Sequence, residues 1–220
     1  MNQTSTGQRE RYDEEWNGWK AEAKAFDGVR RYDQISRVVQ QLGPRKILDV
    51  GCGDGRLARA VRVHCPDVAI HGCDLSPAAL ARSGGLDRQY AVDLNCEVLP
   101  EPDGTFDLVI ASEVIEHLIH PDHVLAELIR VLRRGGHILL TVPNVAFWRF
   151  RVQALCGQVP SVTADDRHLH SFSAFLLEQL VQKSGLQVVC LTGLRQRFNR
   201  FSRLHFKLLS DTLLIVGRKS

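Results

Sequence analysis

The chain has 220 residues, of which 44% are hydrophobic and 24% are charged, and its formal net charge is +3. These values are typical of a soluble globular protein that is long enough to bury a substantial core. No apolar run approaches the roughly 20 residues that a membrane-spanning helix needs. Six cysteines are scattered without a C-x-x-C pair, and no signal peptide opens the chain. We therefore expect a cytoplasmic protein with reduced thiols.

The N-terminal stretch is polar and charged, with aromatic residues that include Tyr12 and Trp16. It is either a frayed leader or a helix that packs against the rest of the protein. We treat residues 1–27 as an N-terminal helical or lid segment and residues 28–220 as one domain.

Strands alternate with helices along the rest of the chain. Ile35, Val38 and Val39 lie on one face of the first helix, which Gly43 and Pro44 end. Helices are predicted near 28–41, 55–63, 76–82, 121–132 and 172–183, and strands near 46–50, 68–73, 89–92, 106–111, 137–142, 186–191 and 212–217. Ser76 is the predicted N-cap of the third helix, and residues 133–136 are predicted to stop the fourth.

This alternation predicts an α/β fold with a doubly wound, mostly parallel sheet that is covered on both faces. Only about 20 residues without a clear helix separate the last two strands. A parallel crossover usually carries a helix, so we expect these two strands to be antiparallel.

Residues 47–55 are the most informative segment, because an apolar strand ends in an acid and three glycines follow at alternate positions. Asp49, Gly51, Gly53 and Gly55 match the pattern acid-x-Gly-x-Gly-x-Gly. Glycine at these positions lets the backbone turn sharply and lets a ligand lie against it. The third glycine comes one position too early for the dinucleotide fingerprint G-x-G-x-x-G, and Arg56 stands where that pattern has glycine.

The segment resembles motif I of the class I S-adenosylmethionine-dependent methyltransferases. The resemblance implies a Rossmann-like sheet of seven strands with an antiparallel last strand, and S-adenosylmethionine as cofactor with S-adenosylhomocysteine as product. It also implies that Asp74 binds the ribose, that Asp93 binds the adenine amino group, and that Leu94 packs on the ring. The residues that we expect around the cofactor are Tyr12, Asp49, Gly51, Cys52, Gly53, Asp74, Leu75, Asp93, Leu94, Ser112 and Glu113.

The expected reaction is direct methyl transfer to an oxygen or nitrogen of a small-molecule acceptor. The segment from His168 to Phe172 resembles methyltransferases of the ubiquinone-biosynthesis type. A general base assists when the acceptor is a hydroxyl or an ammonium group, and histidine suits neutral pH. His117 and His168 are the candidate acid–base residues, with His170 as a further candidate.

One alternative is a metal-assisted RNA methyltransferase. On a helix, Glu113, Glu116 and His117 would share one face, and carboxylates with imidazole suit a divalent cation. The pattern resembles RNA 3′-terminal 2′-O-methyltransferases, in which a distant histidine completes the set; His168 or His170 would supply it. The chain lacks the longer signature that follows that histidine, so we expect no metal.

A second alternative is an accessory protein. Residues 143–153 and 157–160 resemble the MetW-type proteins of methionine biosynthesis, which are linked to homoserine O-acyltransferase as a partner. The expected partners are therefore a small-molecule acceptor and, in this alternative, an acyltransferase. Neither a membrane nor a nucleic acid is expected, and a homodimer is left open.

Positive charge is concentrated in the C-terminal part. From residue 145 onward there are 11 Lys and Arg but only 4 Asp and Glu. Residues 195–203 alternate arginines with phenylalanines, a pattern that could bind phosphate and stack bases. We favour a hairpin or loop whose phenylalanines pack inward.

Overall fold

The structure is a computed structural model that describes residues 3–17, 20–194 and 205–220. Within these ranges the chain forms eight helices and seven strands. The helices are α1 (Gln3–Asn17), α2 (Lys20–Leu42), α3 (Arg56–His64), α4 (Pro77–Leu80), α5 (Pro121–Val131), α6 (Trp148–Leu155), α7 (Ala174–Lys183) and α8 (Phe206–Leu209). The strands are β1 (Lys46–Val50), β2 (Ala69–Asp74), β3 (Arg88–Ala91), β4 (Phe106–Ser112), β5 (Leu132–Pro143), β6 (Gln187–Leu194) and β7 (Thr212–Arg218).

The seven strands form one sheet in the order β3-β2-β1-β4-β5-β7-β6. β2 pairs in parallel with both β1 and β3. β7 lies antiparallel between β5 and β6, with His137 opposite Arg218 at one end of its pairing with β5. The predicted α/β fold with an antiparallel last strand is confirmed.

The chain divides into two compact units, Met1–Ile110 and Ala111–Ser220. In the first unit, β1 is buried over its last four residues, and α3 turns Leu57, Ala58 and Val61 inward. In the second, β7 is buried over six successive residues, and α7 buries Leu177 and Val181. Near-continuous apolar runs of this kind are typical of strands covered on both faces.

Two element starts lie several residues from the predicted ones, and the N-terminal segment is helical. The N-terminal segment forms α1 rather than a frayed leader, and α2 starts at Lys20, so it crosses the predicted division between residues 27 and 28. That division stays a prediction. β5 starts at Leu132, because two backbone hydrogen bonds pair residues 135 and 136 with Lys219. The Gly135 N–H donates to the Lys219 carbonyl, and the Lys219 N–H donates to the Gly136 carbonyl. α5 ends at Val131, so the predicted end of the helix is confirmed, but residues 133–136 belong to the strand that follows.

No helix in the three described ranges is both long enough and apolar enough to cross a bilayer. The six cysteines are free thiols, with Cys52 and Cys73 buried. The basic segment at 195–203 lies outside the described residues.

Ser76 is the N-cap of α4, as the sequence predicts. Its Oγ accepts a hydrogen bond from the Ala79 N–H at 3.1 Å and donates to the Asp13 carboxylate of α1. Asp13 also accepts the Ala78 N–H at 3.2 Å, so this helix end is capped twice.

A Ser76→Ala variant is expected to lose about 1 kcal/mol of unfolding free energy, because the Ala79 N–H loses its acceptor. Urea denaturation measures the loss, and the exposed Ser161→Ala serves as the matched control. Equal midpoints for the two variants would contradict the cap's contribution.

Candidate active site

The glycine-rich loop after β1 has a left-handed backbone. Gly51, Gly53 and Gly55 have φ values of 65°, 53° and 77°. A Cβ on Gly55 would run into the backbone oxygen of Gly84, and a Cβ on Gly53 would lie 2.8 Å from the Trp16 ring. The Gly51 and Cys52 N–H groups both donate to the Cys73 carbonyl, at 2.8 and 3.1 Å, which ties the loop to the end of β2. Only glycine fits this conformation and this close approach.

Asp49 is the next-to-last residue of β1 and is 2% exposed. Its Oδ2 atom has no hydrogen-bond partner among the described residues. Burial, and then the nearby charge of Asp74, raise the pKa of Asp49 to about 8. Buried carboxylates are normally paired, so an unpaired oxygen beside a glycine loop indicates a place where a ligand supplies the donor.

Asp74, at the end of β2, is fixed by the backbone on both sides. Its Oδ2 accepts the Gly53 N–H at 2.8 Å, and its Oδ1 accepts the Ser76 N–H at 2.9 Å. Burial raises the pKa of Asp74, and these hydrogen bonds partly offset the effect. Each oxygen keeps a further lone pair. Leu75, the next residue, is half-buried.

Helix α1 covers this loop. The Trp16 ring lies against Gly53, while Asp13 holds the start of α4 through Ser76. Tyr12 is half-buried one turn before Trp16. Asp13 is a contact that the sequence analysis missed, because it stands among other acids in a polar segment and nothing in the pattern distinguishes it.

Asp93 and Leu94 follow β3 and are 4% and 9% exposed. Asp93 Oδ1 accepts hydrogen bonds from Asn95 N at 3.0 Å and Asn95 Nδ2 at 3.1 Å. The Asp93 N–H donates to the Glu97 carboxylate at 2.6 Å. Asp93 therefore forms the hydrogen bonds of a turn residue. Its expected contact with adenine stays a prediction.

In the second unit, the hydroxyls of Ser112 and Thr141 form a chain of hydrogen bonds that ends at Glu113, just after β4. Thr141 Oγ1 donates to Glu113 Oε1 at 3.2 Å, so the 3.0 Å bond between Ser112 Oγ and Thr141 Oγ1 is donated by Ser112. The Glu113 N–H donates to the Thr141 carbonyl at 3.0 Å. Glu113 is the one non-glycine residue in the described ranges with a left-handed φ, at 58°. Such strain is often stored at functional sites.

The placement of Glu113, Glu116 and His117 on one helical face is wrong. The chain forms a single 3₁₀ turn over Ile115–His117, and Glu113 lies before it in the left-handed conformation. Glu116 is 1% exposed. The turn brings Glu116 and His117 together with His168, and one ligand atom of each lies within 4.8 Å of the others.

His117 and His168 have the same tautomer. His117 Nδ1 lies 2.9 Å from the Arg167 carbonyl, and His168 Nδ1 lies 2.7 Å from the Val162 carbonyl. A carbonyl can only accept, so each Nδ1 carries a proton, and either ring, when it is neutral, has its lone pair on Nε2. The ring centroids are 4.9 Å apart. Burial, with the charges of His168 and Arg167, lowers the pKa of His117 to about 4.

Comparison with known proteins identifies the family of the chain. A family described as "Methyltransferase domain" matches residues 21–191. The chain belongs to this methyltransferase family. It is a class I S-adenosylmethionine-dependent methyltransferase, as the motif at 47–55 predicts.

Three similar proteins illustrate the relationship. The ubiquinone biosynthesis O-methyltransferase of Pseudomonas aeruginosa is 29% identical over 180 residues, which are 77% of this chain and 75% of that protein. A probable S-adenosylmethionine-dependent methyltransferase of Mycolicibacterium smegmatis is 30% identical over 72% of this chain and 59% of its own length. The 1,6-didemethyltoxoflavin-N1-methyltransferase of Burkholderia thailandensis, solved with S-adenosylhomocysteine, shares the fold (TM-score 0.64, 16% identity, 96% of this chain and 87% of that one).

Three nearby histidines of the methyltransferase are not among the described members of the cluster formed by Glu116, His117 and His168. His170 Nε2 lies 3.4 Å from the Ile119 carbonyl, and His120 and His123 are exposed. The Arg167 guanidinium donates to both oxygens of the Asp165 carboxylate, and the Arg167 N–H donates to Oδ1 at 3.1 Å; these bonds hold the pKa of that carboxyl well below its usual range. This pair stiffens the loop that carries His168. The sequence indicated His117 and His168 as candidates, but it did not show that their rings lie next to each other.

Proposed function

We propose that this methyltransferase binds S-adenosylmethionine on the glycine loop of its first unit and transfers the methyl group to an oxygen or nitrogen of a small molecule. The observation that carries the proposal is the buried Asp49 oxygen without a hydrogen-bond partner. A buried carboxylate at the end of β1 favours a cationic donor, and the amino group of the cofactor's methionine part has that chemistry.

The rest of the cofactor is assigned residue by residue. Asp74 accepts both ribose hydroxyls with the lone pairs that its two backbone hydrogen bonds leave available. Leu75 and Leu94 pack on apolar parts of the cofactor, and Asp93 accepts from the adenine amino group. Gly51, Cys52 and Gly53 form the loop surface, and Tyr12 with Trp16 covers it from α1.

The resemblance to class I methyltransferases is what assigns Ser112 and Glu113 to the methionine end of the cofactor. His117 and His168 take up the acceptor's proton, since an imidazole in its neutral form can accept a proton on Nε2. Resemblance to an O-methyltransferase supports an oxygen acceptor. The N-methyltransferase fold is equally compatible with nitrogen, so the acceptor atom is left as either.

Two measurements test this function in sequence. Calorimetry should show one S-adenosylhomocysteine bound per chain, and its absence from folded protein would reject the cofactor assignment. Labelled methyl from S-adenosylmethionine should then enter the small-molecule fraction of a cell extract. Label in the RNA or protein fraction would reject a small-molecule acceptor, and cofactor binding without any transfer would favour the accessory-protein alternative.

A further inference from the structure

Three side chains from two distant stretches of the second unit converge on one point. Glu116 and His117 lie on the 3₁₀ turn after β4, and His168 lies on the loop before α7. Their three ligand atoms are within 4.8 Å of one another, and His117 Nε2 is 3.9 Å from Glu116 Oε1. Two imidazoles and one carboxylate form a donor set that first-row divalent cations use in proteins.

The two imidazoles are oriented as metal-binding histidines are. Such a histidine donates the N–H of one ring nitrogen to a carbonyl or carboxylate and offers the other nitrogen to the metal. His117 donates to the Arg167 carbonyl and His168 to the Val162 carbonyl. Nε2 is therefore the nitrogen through which either ring, when neutral, would bind an ion, and neither ring has to change tautomer to do so.

The backbone holds the two halves of the cluster together. The Glu116 carbonyl accepts the Leu169 N–H at 2.8 Å and the His170 N–H at 3.1 Å. The loop with His168 is thus bonded directly to the turn with Glu116 and His117. A site supported in this way loses little conformational entropy when it binds an ion.

From this geometry we propose that Glu116, His117 and His168 form a site for one divalent transition-metal ion, with coordination positions left open. Two donors at 2.0–2.2 Å from one ion are at most about 4.3 Å apart, so the side chains need to move by no more than about an ångström. Asp165 is not a ligand: its carboxylate is 4.0 Å from His168 Nε2 but is held by Arg167.

This set differs from the one that the RNA-methyltransferase resemblance implies. That pattern includes Glu113, whose Oε1 accepts the Thr141 hydroxyl and which is not part of the cluster. The sequence-based expectation of no metal is also set aside here, because it rested on motif comparison and not on where the side chains meet. The proposed ion site does not depend on the cofactor or acceptor proposals.

An ion changes the chemistry available at these residues. A bound divalent cation lowers the pKa of an oxygen placed on it, so an acceptor hydroxyl would ionise on the ion. With an ion present, His117 Nε2 and His168 Nε2 are ligands and not proton acceptors. Metal binding itself, measured without cofactor, therefore distinguishes this proposal from the acid–base role.

Titration of the metal-free protein with Co²⁺, followed by visible absorption and calorimetry, tests the site. We expect one Co²⁺ per chain and a spectrum without thiolate charge-transfer bands, which separates this site from the exposed Cys96, Cys156 and Cys190. His168→Ala should weaken binding by at least about tenfold. The exposed His123→Ala should bind as the unmodified protein does.

Glu116→Gln provides an independent variant, since it keeps the shape of the buried side chain and removes its charge. It should weaken Co²⁺ binding by a similar factor, and circular dichroism of each metal-free variant checks that it is folded. Equal Co²⁺ affinity in the unmodified protein, His168→Ala and Glu116→Gln would overturn the proposal. So would a thiolate spectrum at the first equivalent of metal.

Discussion

A His117→Gln variant is expected to transfer methyl about 100-fold more slowly than the unmodified protein, with little change in the KM for S-adenosylmethionine. Glutamine can still donate to the Arg167 carbonyl, so the 3₁₀ turn should keep its position. It lacks the basic ring nitrogen, so it can neither take up the acceptor's proton nor bind an ion as imidazole does. Single-turnover rates measure the chemical step, and the exposed His123→Gln is the control.

The pH dependence sharpens this prediction. Burial lowers the pKa of His117 to about 4, so this ring stays neutral at pH 5 and above. His117 should therefore cause no loss of rate between pH 8 and pH 5, whereas an ordinary histidine base would lose activity near its usual pKa of about 6.5. A rate that falls tenfold per pH unit below 6.5, and that stops doing so in His117→Gln, would contradict the assigned environment.

The same group affects stability. Its pKa is lower in the folded than in the unfolded protein, so its contribution is fully present above about pH 6.5 and is lost as the pH falls toward 4. His117→Gln should therefore flatten the fall in unfolding free energy between pH 6.5 and 4. Urea denaturation at several pH values measures this slope. An unchanged slope would show that His117 is solvated like an exposed histidine.

The loop and the sheet could be predicted because local chemistry alone determines them. Gly51, Gly53 and Gly55 have φ values that only glycine adopts readily, and Ser76 is a strong N-cap wherever it precedes proline. Buried parallel strands appear in the sequence as apolar runs that need no knowledge of their neighbours. Sequence reasoning therefore located the residues at the ends of β1, β2 and β3.

The remaining features depend on contacts between distant residues. Gly135 continues a strand only because Lys219, more than 80 residues later, pairs with it. The Thr141 hydroxyl donates to the left-handed Glu113, and the chain forms a 3₁₀ turn where the RNA-methyltransferase alternative required a helix. His117 and His168 are 51 positions apart, and the carbonyls that fix their tautomers have no signal in sequence.

An Asp49→Asn variant is expected to bind S-adenosylhomocysteine about 10- to 100-fold more weakly than the unmodified protein. A hydrogen bond from a cation to a buried carboxylate contributes about 1.5–3 kcal/mol, and the neutral amide loses most of it. The empty, folded variant should be at least as stable as the unmodified protein above pH 8, because a buried charge has been removed. The exposed Asp67→Asn is the matched control, and equal affinities in the two variants would reject Asp49 as the ligand of the amino group.

The number of protons released on ligand binding tests the role of Asp49 more specifically than affinity does. Burial and the charge of Asp74 raise its pKa to about 8, so at pH 7 the empty protein carries a proton on this group. In the empty protein the stability from this group is present at low pH and is lost as the pH rises through about 8. A cationic ligand favours the ionised carboxylate, so binding at pH 7 should release close to one proton, and affinity should rise by up to about tenfold per pH unit until about pH 8. Calorimetry in buffers of different ionisation enthalpy counts the proton. If Asp49→Asn releases as many protons as the unmodified protein, the proton comes from the ligand or another group, and Asp49 does not bind the amino group.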